Sequence, residues 1–186
     1  MKSVKWNSPV VLTFALISGI ALILNYFTAG MTNRLIFSVY KGSLRDPLFY
    51  VRLFSHVLGH SGFSHYTNNM ILFLMVGPLL EEKYGSRCFL EIILVTAFIT
   101  GLIHVLLPSR TMLLGASGVD FALIILASIT GTRKSGEIPL TLIIVALIYI
   151  GQQVYEGILV QDNISQLTHI IGGLVGAGCG MYLSRK

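Results

Sequence analysis

Ser165-Gln-Leu-Thr-His169-Ile-Ile-Gly172-Gly173-Leu-Val-Gly176-Ala-Gly178-Cys179-Gly180-Met-Tyr-Leu183 is apolar over the length of a bilayer, yet holds a histidine and five glycines. About 20 residues at 1.5 Å rise cross the hydrocarbon core. The stretch therefore predicts a membrane-spanning helix. Gly172, Gly176 and Gly180 recur every four residues and share one helix face. Small residues at this spacing let a second helix approach closely. His169, three residues before Gly172, heads that face, so the helix that packs there comes close to the imidazole.

Working outward, the rest of the chain reads the same way. Of its 186 residues, 54% are hydrophobic and 11% charged, against roughly 25% charged in soluble domains. The apolar residues come in blocks near 9–29, 65–81, 87–107, 115–132, 138–157 and 165–183. They predict an all-α, six-transmembrane-helix bundle, with residues 1–186 forming one domain. Lys2 and Lys5 before the first block resemble the start of a signal peptide. That apolar run exceeds the roughly 7–15 residues of an h-region, which favours an uncleaved first helix.

The net charge of +5 does not point to nucleic acid, because the basic residues flank helices instead of forming a patch. With the N-terminus inside, the cytoplasmic side carries Lys2, Lys5, Lys83, Arg87, Arg133, Lys134, Arg185 and Lys186. The outer side carries Arg110 and, in the long first loop at 31–64, Arg34, Lys41, Arg45 and Arg52. This bias places both termini in the cytoplasm of a plasma-membrane protein. The loop mixes Phe37, Tyr40, Phe49, Tyr50 and Phe54 with those basic residues, a composition suited to the outer headgroup layer. Cys88 and Cys179 fall near cytoplasmic helix ends, have no metal-ligand spacing, and read as small apolar fillers.

Polar groups at membrane depth are costly and usually functional. Gly115-Ala116-Ser117-Gly118 surrounds a serine with small residues, which allows a tight turn and backbone access to the hydroxyl. By itself the motif also fits ordinary helix packing. A nucleophilic serine needs a base, and His169 can serve if the fourth and sixth helices touch. His60, His65 and Asn69 form a series in which His65 and Asn69 lie one helical turn apart and point the same way. Two N–H donors facing one point can stabilise an oxyanion. No carboxylate or cysteine joins them, so a metal site is disfavoured, and no cofactor is indicated.

In the order and spacing of Arg52, His60–His65–Asn69, Gly115-Ala116-Ser117-Gly118, and His169 with Gly172 and Gly176, the chain resembles the rhomboid intramembrane serine proteases of the basic six-helix bacterial type. The turn from Glu81 to Gly85 fits as well, and the resemblance covers about residues 50–180. It implies a rhomboid-like fold in which Ser117 attacks the scissile carbonyl and His169 acts as general base, then general acid. The oxyanion is held by the Ser117 backbone N–H with the side chains of His65 and Asn69. The resemblance makes His60 a structural residue of the first loop and puts Phe121 where an aromatic, often tyrosine, stacks on the imidazole. Substrates would be membrane-anchored proteins cut near the outer end of a transmembrane helix, at a site opening to the extracytoplasmic side. Gln152, Gln153, Gln161, Asp162 and Asn163 would belong to the gating region of the fifth helix and its loop.

Two departures stand out. Val51 occupies the place where the family often has tryptophan, and the sole tryptophan is Trp6. Asp120 stands where an apolar residue is expected; it is either a third triad member or a hydrogen-bonded, water-contacting group. Arg87 and Glu91, one turn apart, are expected to pair, and His104 to face the interface or a loop. Three other functions stand beside this one: a non-cleaving rhomboid-like binder of membrane helices, a rhomboid that processes sorting-signal tails, and a small transporter or channel. A non-cleaving relative should lack the serine or the histidine. A transporter should show paired intramembrane charges or an inverted repeat, and neither is visible.

Overall fold

A computed structural model describes residues 6–108, 111–130 and 163–183, with the helical positions Leu140, Ile143, Ile144, Leu147 and Ile148; for residues 130, 163–169 and 180 it describes the backbone alone. The described residues form the helices α1 (Pro9–Phe27), α2 (Pro47–Ser55), α3 (Phe63–Tyr84), α4 (Ser86–Leu106), α5 (Ser117–Thr130) and α6 (Asn163–Leu183). The fifth apolar block, 138–157, lies mostly outside them. Helices α1 and α4 are each long and apolar enough to cross a membrane, whereas α5 and the Ile170–Leu183 part of α6 are apolar but shorter. Helix α3 has the length but is polar at both ends, with His65, Asn68 and Asn69 near its start and Glu81, Glu82 and Lys83 near its finish.

Boundaries follow local chemistry. Pro9 starts α1, where a missing N–H costs nothing. The N–H groups of Val10 and Val11, which the first helical turn leaves without a backbone acceptor, donate to the buried Glu81, whose two carboxylate oxygens accept them at 3.0 Å each. Ser86 donates to the same carboxylate at 2.7 Å. A buried acid thus caps one helix from another. Gly85, at φ +80°, makes the whole turn between α3 and α4, which a side chain would strain.

The loop at 31–64 is built from short helical turns. It holds a π-helical turn (Asn33–Phe37), α2 and a 3-10 turn (His56–Leu58). Asp46 caps α2 through the Leu48 N–H at 3.0 Å and pairs with the buried Arg52 at 2.6 Å. That guanidinium, beside it, holds the Asp46 carboxyl below the usual carboxylate range. Arg52 also donates to the Leu35 carbonyl at 3.2 Å and lies 4.7 Å from the Tyr40 ring centre. The loop is therefore pinned without the tryptophan. An isolated antiparallel bridge, Val39 to Leu113, ties it to the segment leading into α5.

The main core gathers Phe14, Phe73, Phe89, Ile92, Val119, Leu123 and Leu126 from α1, α3, α4 and α5. Cys88 and Cys179 are free and pack at its edge, as fillers would. Arg87 and Glu91 pair at 3.1 Å. His104 is buried and faces the loop before α5, where its Nε2 donates to the Thr111 carbonyl at 3.0 Å.

Helices α5 and α6 pack backbone to backbone. A methyl group added at Gly172 would overlap the Gly118 carbonyl, and one at Gly176 would overlap the Ala122 carbonyl. Gly118 to Ala122 and Gly172 to Gly176 both advance four residues, so the two helices run parallel. We expect Gly176→Val to force them apart and to cost about 1–3 kcal/mol. Thermal unfolding in mild detergent would read this, with Gly178→Ala as the control. Gly178 has open space where a side chain would go.

Candidate active site

Ser117 is the first residue of α5, not its third; Gly115 at φ +120° is incompatible with helix and turns the chain into it. The first backbone bond of this helix is Asp120 N–H to Ala116 O at 2.8 Å. The Ser117 N–H therefore points out of the helix's N-terminal end, where the macrodipole favours negative charge.

The bare side of Gly115 faces α3. A Cβ built there would lie 2.7 Å from His65 Nε2 and 3.5 Å from Asn69 Nδ2. Only glycine lets both side chains come this close to the Ser117 turn. Their partners decide which atoms donate. The Ser61 backbone N–H donates to His65 Nδ1 at 3.4 Å, and the Ser61 hydroxyl lies 3.0 Å from the same nitrogen. His65 Nδ1 is therefore the acceptor and the proton sits on Nε2, facing Gly115. His60 is the reverse. Its Nδ1 donates to the Leu58 carbonyl at 3.1 Å, so its Nε2 accepts from Asn69 Nδ2 at 3.1 Å. This orients the Asn69 amide and leaves its second N–H to donate. Burial, with His65 nearby, lowers the His60 pKa to about 4, so the ring stays neutral and remains an acceptor at neutral pH.

The parallel register of α5 and α6 sets the level of His169. Gly172 lies against Gly118. His169 is one turn earlier, about 4.5 Å along the axis, at the level of Gly115 to Ser117. Side chains on a helix lean toward its N-terminus, so the Ser117 hydroxyl leans toward that same level. The Phe121 ring fills the space left by Gly173, four residues after His169. Gln152, Gln153, Gln161 and Asp162 lie outside the described residues, and Asn163 opens α6.

Asp120 does not join this group. It is two residues on from Gly118, about 200° round the helix, opposite the side of α5 that meets α6. It is buried, and neither carboxylate oxygen has a hydrogen-bond partner among the described residues. This placement favours neither a triad role nor a hydrogen bond to the described residues. A polar side chain buried without a partner costs about 1–3 kcal/mol. We expect Asp120→Asn to keep cleavage within a few-fold of wild type, and Asp120→Leu to raise the unfolding temperature. A loss of several orders of magnitude in the Asn variant would restore Asp120 to the mechanism.

One residue of the site escaped the sequence reading. His56 is buried, its carbonyl accepts the Gly115 N–H at 2.9 Å, and its Nε2 donates to the Ala97 carbonyl at 3.0 Å. Burial lowers its pKa to about 4. His56 lines a cavity of about 10 Å³ with Thr100, Gly115, Ser117 and Gly118, the room one water needs. The signal was available: Arg52, His56 and His60 recur every four residues. Among the described residues, no three His, Cys, Asp or Glu side chains are grouped to hold a metal.

Residues 48–186 match the family model described as Rhomboid domain. The chain belongs to the rhomboid family. Rhomboid proteins are in general intramembrane serine proteases acting on transmembrane substrates, and membership together with the apolar helices makes this a membrane protein. No curated protein matches the chain. The match begins one residue after Pro47 opens α2 and takes in α3 to α6, so every residue named at the Ser117 turn falls within the rhomboid domain.

Proposed function

We propose that this rhomboid is an active intramembrane serine endopeptidase that cleaves transmembrane segments with a Ser117–His169 dyad. The observation that carries the reading is convergence at one turn: Ser117 opens α5, His65 and Asn69 reach it across Gly115, and the α6 register brings His169 to its level. In this mechanism His169 removes the Ser117 proton as Oγ attacks the scissile carbonyl. The carbonyl oxygen becomes an oxyanion held by His65 Nε2–H, an Asn69 N–H and the Ser117 N–H. His169 then gives its proton to the leaving amine as the C–N bond breaks. A water, which the cavity beside His56 is large enough to hold, attacks the acyl-enzyme. His169 takes the water's proton and then passes it to Ser117 Oγ as the ester C–O bond breaks, which releases the product acid and restores Ser117 and neutral His169.

The reading includes six spans, both termini in the cytoplasm and a site opening to the extracytoplasmic side of the plasma membrane. It takes Gly172 and Gly176 as the surfaces that seat α6 on α5, Phe121 as the ring beside His169, and Arg52 as the loop anchor. Purified protein in liposomes should cut a transmembrane substrate carrying helix-destabilising residues near its outer end. A fluorophosphonate should label Ser117. A protein that binds such a helix, cuts nothing and takes no label would instead be a non-cleaving relative.

A further inference from the structure

The first loop carries a surface that the chemistry at Ser117 leaves unused. Its helix α2 has two faces. Phe49, Arg52 and Leu53 are buried against the protein, whereas Leu48, Tyr50, Val51 and Phe54 are exposed. A mostly apolar face turned outward marks a surface that something apolar covers. Its depth says what that is. Phe54 stacks on Phe98 with ring centres 5.5 Å apart. Phe98 lies eight residues before the end of α4, about 12 Å along the axis. This end of α2 therefore lies beside a helix long enough to span the membrane and not beyond it, at a depth where lipid tails are the neighbours.

The same loop carries charge without counter-charge. Residues 31–64 hold four bases, Arg34, Lys41, Arg45 and Arg52, and one acid, Asp46. The buried Arg52 takes Asp46. Arg34, Lys41 and Arg45 are exposed, and none has an ion-pair partner among the described residues. The other described acids stand elsewhere: Glu81, Glu82 and Glu91 at the far ends of α3 and α4, and Asp120 buried in α5. The fold gathers the three bases. The Tyr40 hydroxyl donates to the Arg34 carbonyl at 3.1 Å, which holds the Lys41 segment beside the π-helical turn. The Tyr50 hydroxyl donates to the Leu44 carbonyl at 3.0 Å, which holds the Arg45 segment against α2. Arg52 joins the two halves through the Leu35 carbonyl and Asp46. An apolar helix face edged by unpaired bases is the pattern of a surface that sits among anionic headgroups. Neutral lipid would cover the apolar face but bring no net counter-charge to the three cations.

We propose that the first loop binds anionic phospholipid, with acyl chains on the Leu48–Phe54 face of α2 and phosphates at Arg34, Lys41 and Arg45. The leaflet concerned follows from the orientation proposed above. The binding itself does not rest on the Ser117–His169 dyad, so lipid preference and cleavage fail separately.

Quenching by brominated lipids tests this in the full-length protein. In a Trp6→Phe background, Leu44→Trp reports on the loop, and Met75→Trp, on α3, reports on lipid-facing surface away from it. Both positions are exposed, at 68% and 65%, so both should accept the larger ring. Bilayers contain phosphatidylcholine with a rising fraction of brominated phosphatidylglycerol, or of brominated phosphatidylcholine. At Leu44→Trp the anionic lipid should be preferred about five-fold, the factor that one base near an anionic surface supplies. The combined substitution Arg34→Gln, Lys41→Gln and Arg45→Gln should bring that preference to near one. At Met75→Trp the two lipids should quench alike. Equal quenching at Leu44→Trp, the same preference at both positions, or a preference that survives the triple substitution would overturn the proposal. So would equal quenching together with faster cutting of substrates that carry acidic residues beside their span, which would assign the three bases to substrate. Native mass spectrometry of protein without tryptophan substitutions gives a second measurement. Phosphatidylglycerol retained by the unsubstituted chain and lost in the triple variant supports the surface; equal retention in both, or none in either, refutes it.

Discussion

Ser117→Ala should lower cleavage of a transmembrane substrate by about 10⁴-fold or more, while leaving helical content and unfolding temperature unchanged. The substitution removes one oxygen atom from a half-buried position and leaves the α5 backbone intact. It therefore acts on chemistry rather than on folding. His169→Ala should cost a similar factor, because a serine without a base keeps its proton. The two residues act as a unit, so the double variant should be little worse than either alone. Rates measured in liposomes, with circular dichroism and thermal unfolding as controls, decide it. Ser117→Ala cutting as well as wild type would end the protease assignment. Additive losses from Ser117 and His169 would argue that they do not share one proton.

Asn69→Ala carries the second largest expected effect, about 10²–10³ in kcat with a much smaller change in KM. An oxyanion donor acts where charge develops, not on the substrate's neutral carbonyl, so its loss falls on the transition state. In water such a bond would be weak, but here Asn69 is buried and preorganised by its contact with His60 Nε2 at 3.1 Å. Removing His60's acceptor nitrogen with His60→Ala should release the amide and produce a smaller loss of the same kind, in kcat more than in KM. A rise in KM at constant kcat for Asn69→Ala would mean that the residue binds substrate and does not stabilise the intermediate. Gly115→Ala is a steric counterpart, since its methyl would press on His65 at a backbone angle that disfavours any side chain.

Helix positions were largely legible because length and hydropathy impose them. The blocks near 9–29, 87–107 and 165–183 each fall within about two residues of α1, α4 and α6. Helix α3 outruns its apolar block at both ends, by Phe63 and Ser64 and by Glu82 to Tyr84, because the helix runs from the Gly62 cap to the Gly85 turn and not to where the apolar residues stop. Helix α2 was not legible as a helix. Its nine residues mix aromatics with Arg52, which reads as interfacial loop until Asp46 and Arg52 are seen to clamp it. The four-residue spacing of Arg52, His56 and His60 was a signal for His56, but spacing alone does not say that its carbonyl accepts the Gly115 N–H.

What the residues determined alone was periodicity and chemistry: apolar lengths that suit a bilayer, glycines at four-residue spacing, His65 and Asn69 on one helical face, and a serine set among small residues. These are properties of neighbours along the chain, where 1.5 Å of rise and 100° of turn per residue fix the geometry. The tertiary structure decided what depends on how two helices meet. It set the parallel α5–α6 register that brings His169 to the level of Ser117. It put Asp120 on the far side of α5, and through the partners of His60 and His65 it chose which ring nitrogen carries each proton. Side chains and glycines far apart in sequence make those choices by close packing, and no local pattern encodes which of them will touch.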